Sequence, residues 1–147
     1  MTGASKRPLI ALSRGCTREV VLVGSWALKL PSLRSWRLFL TGLLCNQQET
    51  SFASLGWPEV CPVKFSIPGG FLVVMPRVIP LSESRKEPVT DEEFEAWTVR
   101  ADGEIPAEAK LDSFGSYEGR VVAIDYGGPG WDITLKGGAE RGWLETE

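Results

Sequence analysis

The chain contains no histidine. That absence removes Ser-His-Asp and Cys-His catalysis, most catalytic zinc sites and imidazole acid–base chemistry. Cysteine is scarce: Cys16, Cys45 and Cys61 are far apart and odd in number, so no disulfide framework is expected. A reducing, cytoplasmic setting follows as the expectation, since no long apolar run opens the chain in the manner of a signal peptide. No apolar stretch approaches the length of a bilayer span, so no membrane partner is expected. A concentrated basic surface is lacking too. The net charge of −3 argues against a nucleic-acid partner. Basic residues do gather early, from Lys6 to Arg37, while the last third is acidic; this reads as a solvated face before it reads as a binding patch. Whatever chemistry the protein performs must rest on carboxylates, lysine, hydroxyls, thiols or a metal held by oxygen.

What is present fits a globular domain. Hydrophobic residues make up 43% and charged residues 24% of 147 positions, enough to bury a core within one domain spanning 1–147. Residues 8–13, 19–23 and 26–30 read as three short strands with tight links, the last closed by Pro31. Ser32 or Ser35 caps a following helix, in which Trp36, Phe39, Leu40, Leu43 and Leu44 recur at helical spacing as far as about Ser54. Gly42 is its weak point, and Gly56-Trp57-Pro58 breaks it.

Residues 60–67 and 71–74 read as two more strands about the Pro68-Gly69-Gly70 turn. Residues 82–92 form an exposed polar link. Thr90 to Glu93 resembles a capping box before Phe94 and Trp97. A helical turn over 106–111, a hairpin turn over 117–120 and a buried strand from Val121 to Asp125 follow. Trp26, Trp36 and Trp57 are expected in the core or at its edge. Trp131 and Trp143, in the glycine-rich tail, read either as pegs holding that tail or as a partner-binding patch. The fold class expected is α+β, a five-stranded antiparallel sheet with one packed helix (8–79), joined to a smaller second part (80–147).

Two segments bear chemistry. In Trp26-Ala27-Leu28-Lys29-Leu30 the small Ala27 and Lys29 share one face of a strand. Either Lys29 points to water, or it lines a site. In Gly119 to Gly127, a β run delivers Asp125 into an Asp-Tyr-Gly turn. An acid there suits an oxygen-bound metal such as magnesium, or else it hydrogen-bonds its own turn. Together, in the order three strands, helix, two strands, these segments resemble the protein-kinase-like fold, a degenerate form of it. In that family an Ala-x-Lys strand holds the nucleotide phosphates and the Asp of an Asp-Phe-Gly turn holds magnesium.

The resemblance implies that ATP and magnesium are the cofactors. Lys29 would bind the phosphates, Ala27 would leave room for adenine, and Asp125 would bind the metal. Backbone groups of Met75 to Val78 would stand where a kinase hinge pairs with adenine. Glu49 would be the helix glutamate paired with Lys29. Its helical phase disagrees: at about 100° per residue Glu49 falls far from the Trp36–Leu44 face, while Gln47 falls close to it.

Kinase-like proteins of bacteria and phages carry a D-x-H-x-x-N-W-G pattern before an Asp-Tyr-Gly. Against it, Phe114-Gly115 aligns with Trp-Gly, Ser113 with the Asn, Lys110 with the His and Glu108 with the Asp; Asp112 is near but out of register. The catalytic Asn is thus replaced and a glycine-rich loop is missing. The stretch after Gly127 is too short for a kinase large lobe. The expectation is a catalytically degenerate, pseudokinase-like protein acting by nucleotide or protein binding. One alternative is a minimal magnesium-dependent phosphotransferase on a small molecule, with Glu108 or Asp112 orienting the acceptor. The other is an α+β interaction module unrelated to kinases.

Overall fold

The computed structural model describes residues 9–14, 17–100 and 107–127. It is an α+β structure in which β1 (Ile10–Arg14), β2 (Arg18–Val23), β3 (Trp26–Pro31), β4 (Phe65–Ile67) and β5 (Leu72–Pro76) form one antiparallel sheet, ordered β1-β2-β3-β5-β4. β6 (Ile79–Pro80), β7 (Phe114–Tyr117) and β8 (Arg120–Ala123) form a second antiparallel sheet of three strands. Helix α1 (Trp36–Ala53) lies between β3 and β4 in the chain, and α2 (Asp91–Arg100) between β6 and β7. Neither is long and apolar enough to cross a membrane.

Local chemistry accounts for the joints. Ser35 caps α1, its hydroxyl accepting from the Leu38 amide at 3.2 Å. At α2 the Thr90 hydroxyl accepts from the Glu93 amide (3.1 Å), and the Glu93 carboxylate accepts from the Thr90 amide (2.9 Å). This reciprocal pair satisfies two donors that a helix start leaves open. The β7–β8 turn holds both central residues, Glu118 and Gly119, at positive φ (49° and 78°), the mirror-image turn that matches strand twist.

α1 lies on the sheet by a face the apolar spacing does not mark. Its buried residues are Gly42, Cys45, Asn46, Glu49 and Phe52, whereas Trp36 is 72% exposed and Leu40 is also exposed. Gly42 is a point of contact, not of weakness. A Cβ there would stand 2.5 Å from the Thr17 carbonyl oxygen and 2.8 Å from Pro31 Cα. The helix backbone can therefore sit directly on the β2–β3 end of the sheet, and side chains with polar ends fill the gap beneath it.

Several boundaries differ from expectation. Residues 60–67 are not one strand: Val60 bridges Ala123 in the second sheet, and only Phe65–Ile67 joins the first. The Cys61 amide donates to Ala123 and the Lys64 amide to Val74, so the chain changes sheets across Pro62, which has no amide to donate. β8 ends at Ala123, before Asp125, because the Ile124 and Asp125 amides turn to the Ser113 carbonyl oxygen. The turn expected over 106–111 falls at Leu111–Ser113 and is a 3-10 turn; residue 106 lies outside the described residues. Trp26 and Trp36 are exposed, Trp57 is half-buried against the core, and Trp97 is the deeply buried one among the described tryptophans. Trp131 and Trp143 lie outside the described residues.

The core runs beneath both sheets. Val73 and Met75 of β5, Phe52 of α1, Cys61, Trp97, Phe114, Val122 and Tyr126 form one contiguous cluster. Trp97 meets Phe114 edge to face at 4.9 Å between centroids.

Candidate functional site: a buried ion cluster under the Asp-Tyr-Gly turn

Alternation along β3 turns Ala27, Lys29 and Pro31 inward, toward α1. Cross-strand pairing of Arg18 with Pro31 and of Val20 with Lys29 puts Arg18 on that same inner face of β2. α1 brings Asn46 and Glu49 down onto both cations. The Asp-Tyr-Gly segment closes the cluster from the second sheet, and Gly127 permits that closure: a Cβ there would fall on the Cys45 carbonyl oxygen and 2.8 Å from Glu49 Cγ.

Every polar group in the cluster has a partner. The Lys29 ammonium donates to Glu49 Oε1 (2.9 Å), to Oε2 (3.0 Å) and to the Ile124 carbonyl oxygen, which uses its three donors. Arg18 Nη1 lies 2.9 Å from Glu49 Oε2 and donates to Asn46 Oδ1 at 3.2 Å, while Nη2 bonds the Asp125 carboxylate. The Asn46 amide donates to the Lys29 and Gly70 carbonyl oxygens at 3.1 and 2.8 Å. The Tyr126 amide donates to Glu49 Oε1 at 3.3 Å, and its hydroxyl to the Cys61 carbonyl oxygen at 2.7 Å.

Two cations and two carboxylates thus balance. Burial works against the Arg18 charge, and Glu49 and then Asp125 outweigh it, so its pKa lies above the ordinary arginine value. Burial pushes the Tyr126 phenol up, with Glu49 adding to the effect, and raises the Cys61 thiol to about 11, so neither ionises near neutrality. Cys45 and Cys61 are both free thiols.

The residues singled out from sequence separate into two groups. Lys29, Glu49 and Asp125 converge here, and Ser113 lies beside them, its carbonyl oxygen accepting from the Ile124 amide at 2.9 Å. The Lys29 reading in which the side chain points to water is overturned, since the residue is buried. Gln47, which helical phase favoured over Glu49, is exposed and donates to the Gly69 carbonyl oxygen at 2.9 Å. Glu108 and Asp112 are both exposed, and Glu108 is paired with Lys110.

Arg18 and Asn46 were not anticipated. Arg18 carries a signal, being a charged residue that alternation places on the inner face of a β-branched strand; Asn46 carries none beyond its spacing of three from Glu49.

For a triphosphate, Lys29 is held by Glu49 and by the Ile124 carbonyl oxygen, and it would have to exchange the Ile124 bond to reach a phosphate. For magnesium, Asp125 is the one carboxylate in reach of solvent, 58% exposed, and a guanidinium occupies it. Among the described residues no group of three potential metal ligands gathers. No protein-family model matches the chain, and no curated protein matches its sequence.

Proposed function

We propose that the protein is a catalytically degenerate, kinase-like binding protein whose former phosphate- and metal-handling residues serve as an internal clamp. One observation carries this reading: a strand lysine and a helix glutamate form a buried pair, and an Asp-Tyr-Gly turn closes on it. Of the three readings open from sequence, a degenerate kinase-like fold accounts for all three elements at once. Arg18 supports degeneracy. Its guanidinium bonds Asp125 and Glu49, supplying from within the chain the positive charge that magnesium would bring. The clamp joins β2, β3, α1 and the Asp-Tyr-Gly turn in one arrangement, which suits a protein that presents a fixed surface to a protein partner.

The test is a thermal-shift titration with ATP, with and without magnesium. A site that binds only the native state would add about 2.7 kcal/mol of stability at a hundredfold excess over the dissociation constant. The expected result is no magnesium-dependent rise at millimolar ATP and no ATP turnover. A magnesium-dependent rise that Asp125→Ala abolishes would overturn the reading. It would favour the second one, a small magnesium-dependent phosphotransferase, which draws on the solvent access of Asp125 and on the exposed Asp112 in the turn packed beside it.

A further inference from the structure

Among the described residues, nothing packs on the face of the five-stranded sheet turned away from α1. Register assigns its members: Val23 pairs with Ile10 and with Trp26, Val21 with Leu12 and with Leu28, and Val74 with Leu28 and with Phe65. These cross-strand partners share a face, and all of them are apolar. Ile10 is 66%, Leu12 59%, Phe65 57% and Trp26 45% exposed; Val23 and Ile67 are exposed as well. Its charged positions are Glu19 and Arg14, which register pairs with each other at one corner. The Arg34 guanidinium lies 3.9 Å from Glu19.

We infer that this face is the interface of a homodimer, in which two copies of the chain pack sheet on sheet about a two-fold axis near Leu28 of the central strand. Three observations choose a second copy as the occupant. The patch is large: the exposed parts of its six most open side chains amount to on the order of 600 Å² per protomer, at the top of what a monomer leaves in water. Doubled, that is roughly 1,200 Å², above the ~1,000 Å² that a specific interface requires.

Apart from the Glu19 and Arg14 positions at its corner, the patch is also uncharged. It offers nothing to complement an acidic or basic partner, while its apolar surface is complementary to itself, as a two-fold interface must be. Finally, it is a regular pleated face, and two such faces stack at about 10 Å with their strands near −30°, as in a sandwich core. Glu19, at the corner, stays on the rim with its cation. This inference stands on the outer face alone and holds whether or not the inner face ever binds nucleotide.

The experiment is the solution mass of the full chain, by light scattering on a sizing column and by sedimentation, across micromolar concentrations. The expected mass is twice the 16.1 kDa of the chain. Leu12→Lys with Phe65→Lys places charges on two strands of the face where each protomer already meets water. This variant should keep the wild-type circular dichroism and run at half the wild-type mass. Leu40→Lys, on the exposed side of α1, should remain dimeric.

A wild-type monomer across the range would overturn the inference, and that result needs no variant to fold. A dimer that survives both lysines, or one that Leu40→Lys dissolves, would place the contact elsewhere and overturn it equally.

Discussion

Glu49 faces two cations, Lys29 and Arg18, each at 2.9 Å, with no solvent access of its own. Replacing it with leucine leaves both cations buried with Asp125 as their one remaining carboxylate. Breaking a buried pair from one side costs about 3–5 kcal/mol. Lys29→Met should cost less, because Arg18 still satisfies Glu49. The double variant Lys29→Met/Glu49→Leu should recover part of the Glu49→Leu loss, since Arg18 and Asp125 remain paired. Urea unfolding of the three variants checks this order, and a Lys29→Met loss equal to that of Glu49→Leu would contradict it. The same residue marks how far sequence reasoning reaches. Lys29 and Asp125 were legible because each stands at the end of, or within, an apolar strand. Glu49 was legible as chemistry but not as geometry, because the apolar periodicity of α1 points at Trp36 and Leu40, which the fold leaves in water.

At the scale of elements, strands and turns were the more legible part. Turn glycines and β-branched runs act locally, so β1, β2, β3, β5 and the β7–β8 turn were expected close to where they lie, whereas β4 was expected to begin at residue 60 and β7 was not expected. The failures are places where a distant contact decides. Residues 60 and 61 join the second sheet because Val60 bridges Ala123 and the Cys61 amide finds its partner there, and the Asp125 amide leaves the β8 ladder for Ser113.

The start of α2 makes a prediction of its own. The Arg85 guanidinium donates to both Glu93 oxygens (2.8 and 2.9 Å), and the Thr90 amide adds a third bond. The Arg85 bonds first, and the Thr90 amide second, hold the Glu93 carboxyl down to about 2. Its folded value lies below the ordinary one of about 4.3. The stability it contributes is therefore complete above that ordinary value and is lost as pH falls toward 2. Wild type should exceed Glu93→Gln in urea midpoint at pH 6, and the two should converge between pH 4.5 and about 2. A gap that persists at pH 2, or one that is insensitive to salt at pH 6, would count against the ion pair as its source, since exposed pairs are screened.

For the molecule as a whole, the question is whether the two sheets unfold together. Neither holds a core of its own. Val73 and Met75 of the first sheet lie in the same cluster as Phe114, Val122 and Ala123 of the second, each nearly inaccessible to water. Tyr126 ties the halves twice, its amide to Glu49 on α1 and its hydroxyl to the Cys61 carbonyl oxygen. Pulling the sheets apart would expose that shared apolar surface and leave Lys29 and Arg18 without Ile124 and Asp125. No stable half-folded state survives such a loss, so unfolding should be a single transition. Far-ultraviolet dichroism, which follows both sheets and α1, should then trace the same urea curve as tryptophan fluorescence, to which the buried Trp97 beside the second sheet contributes. Tyr126→Phe removes one bond and leaves the Cys61 carbonyl oxygen unpaired, a cost of about 1–3 kcal/mol. It should shift both curves by the same amount. If it moves the fluorescence curve and leaves the dichroism where it was, the second sheet folds on its own account, and the clamp joins two units instead of completing one.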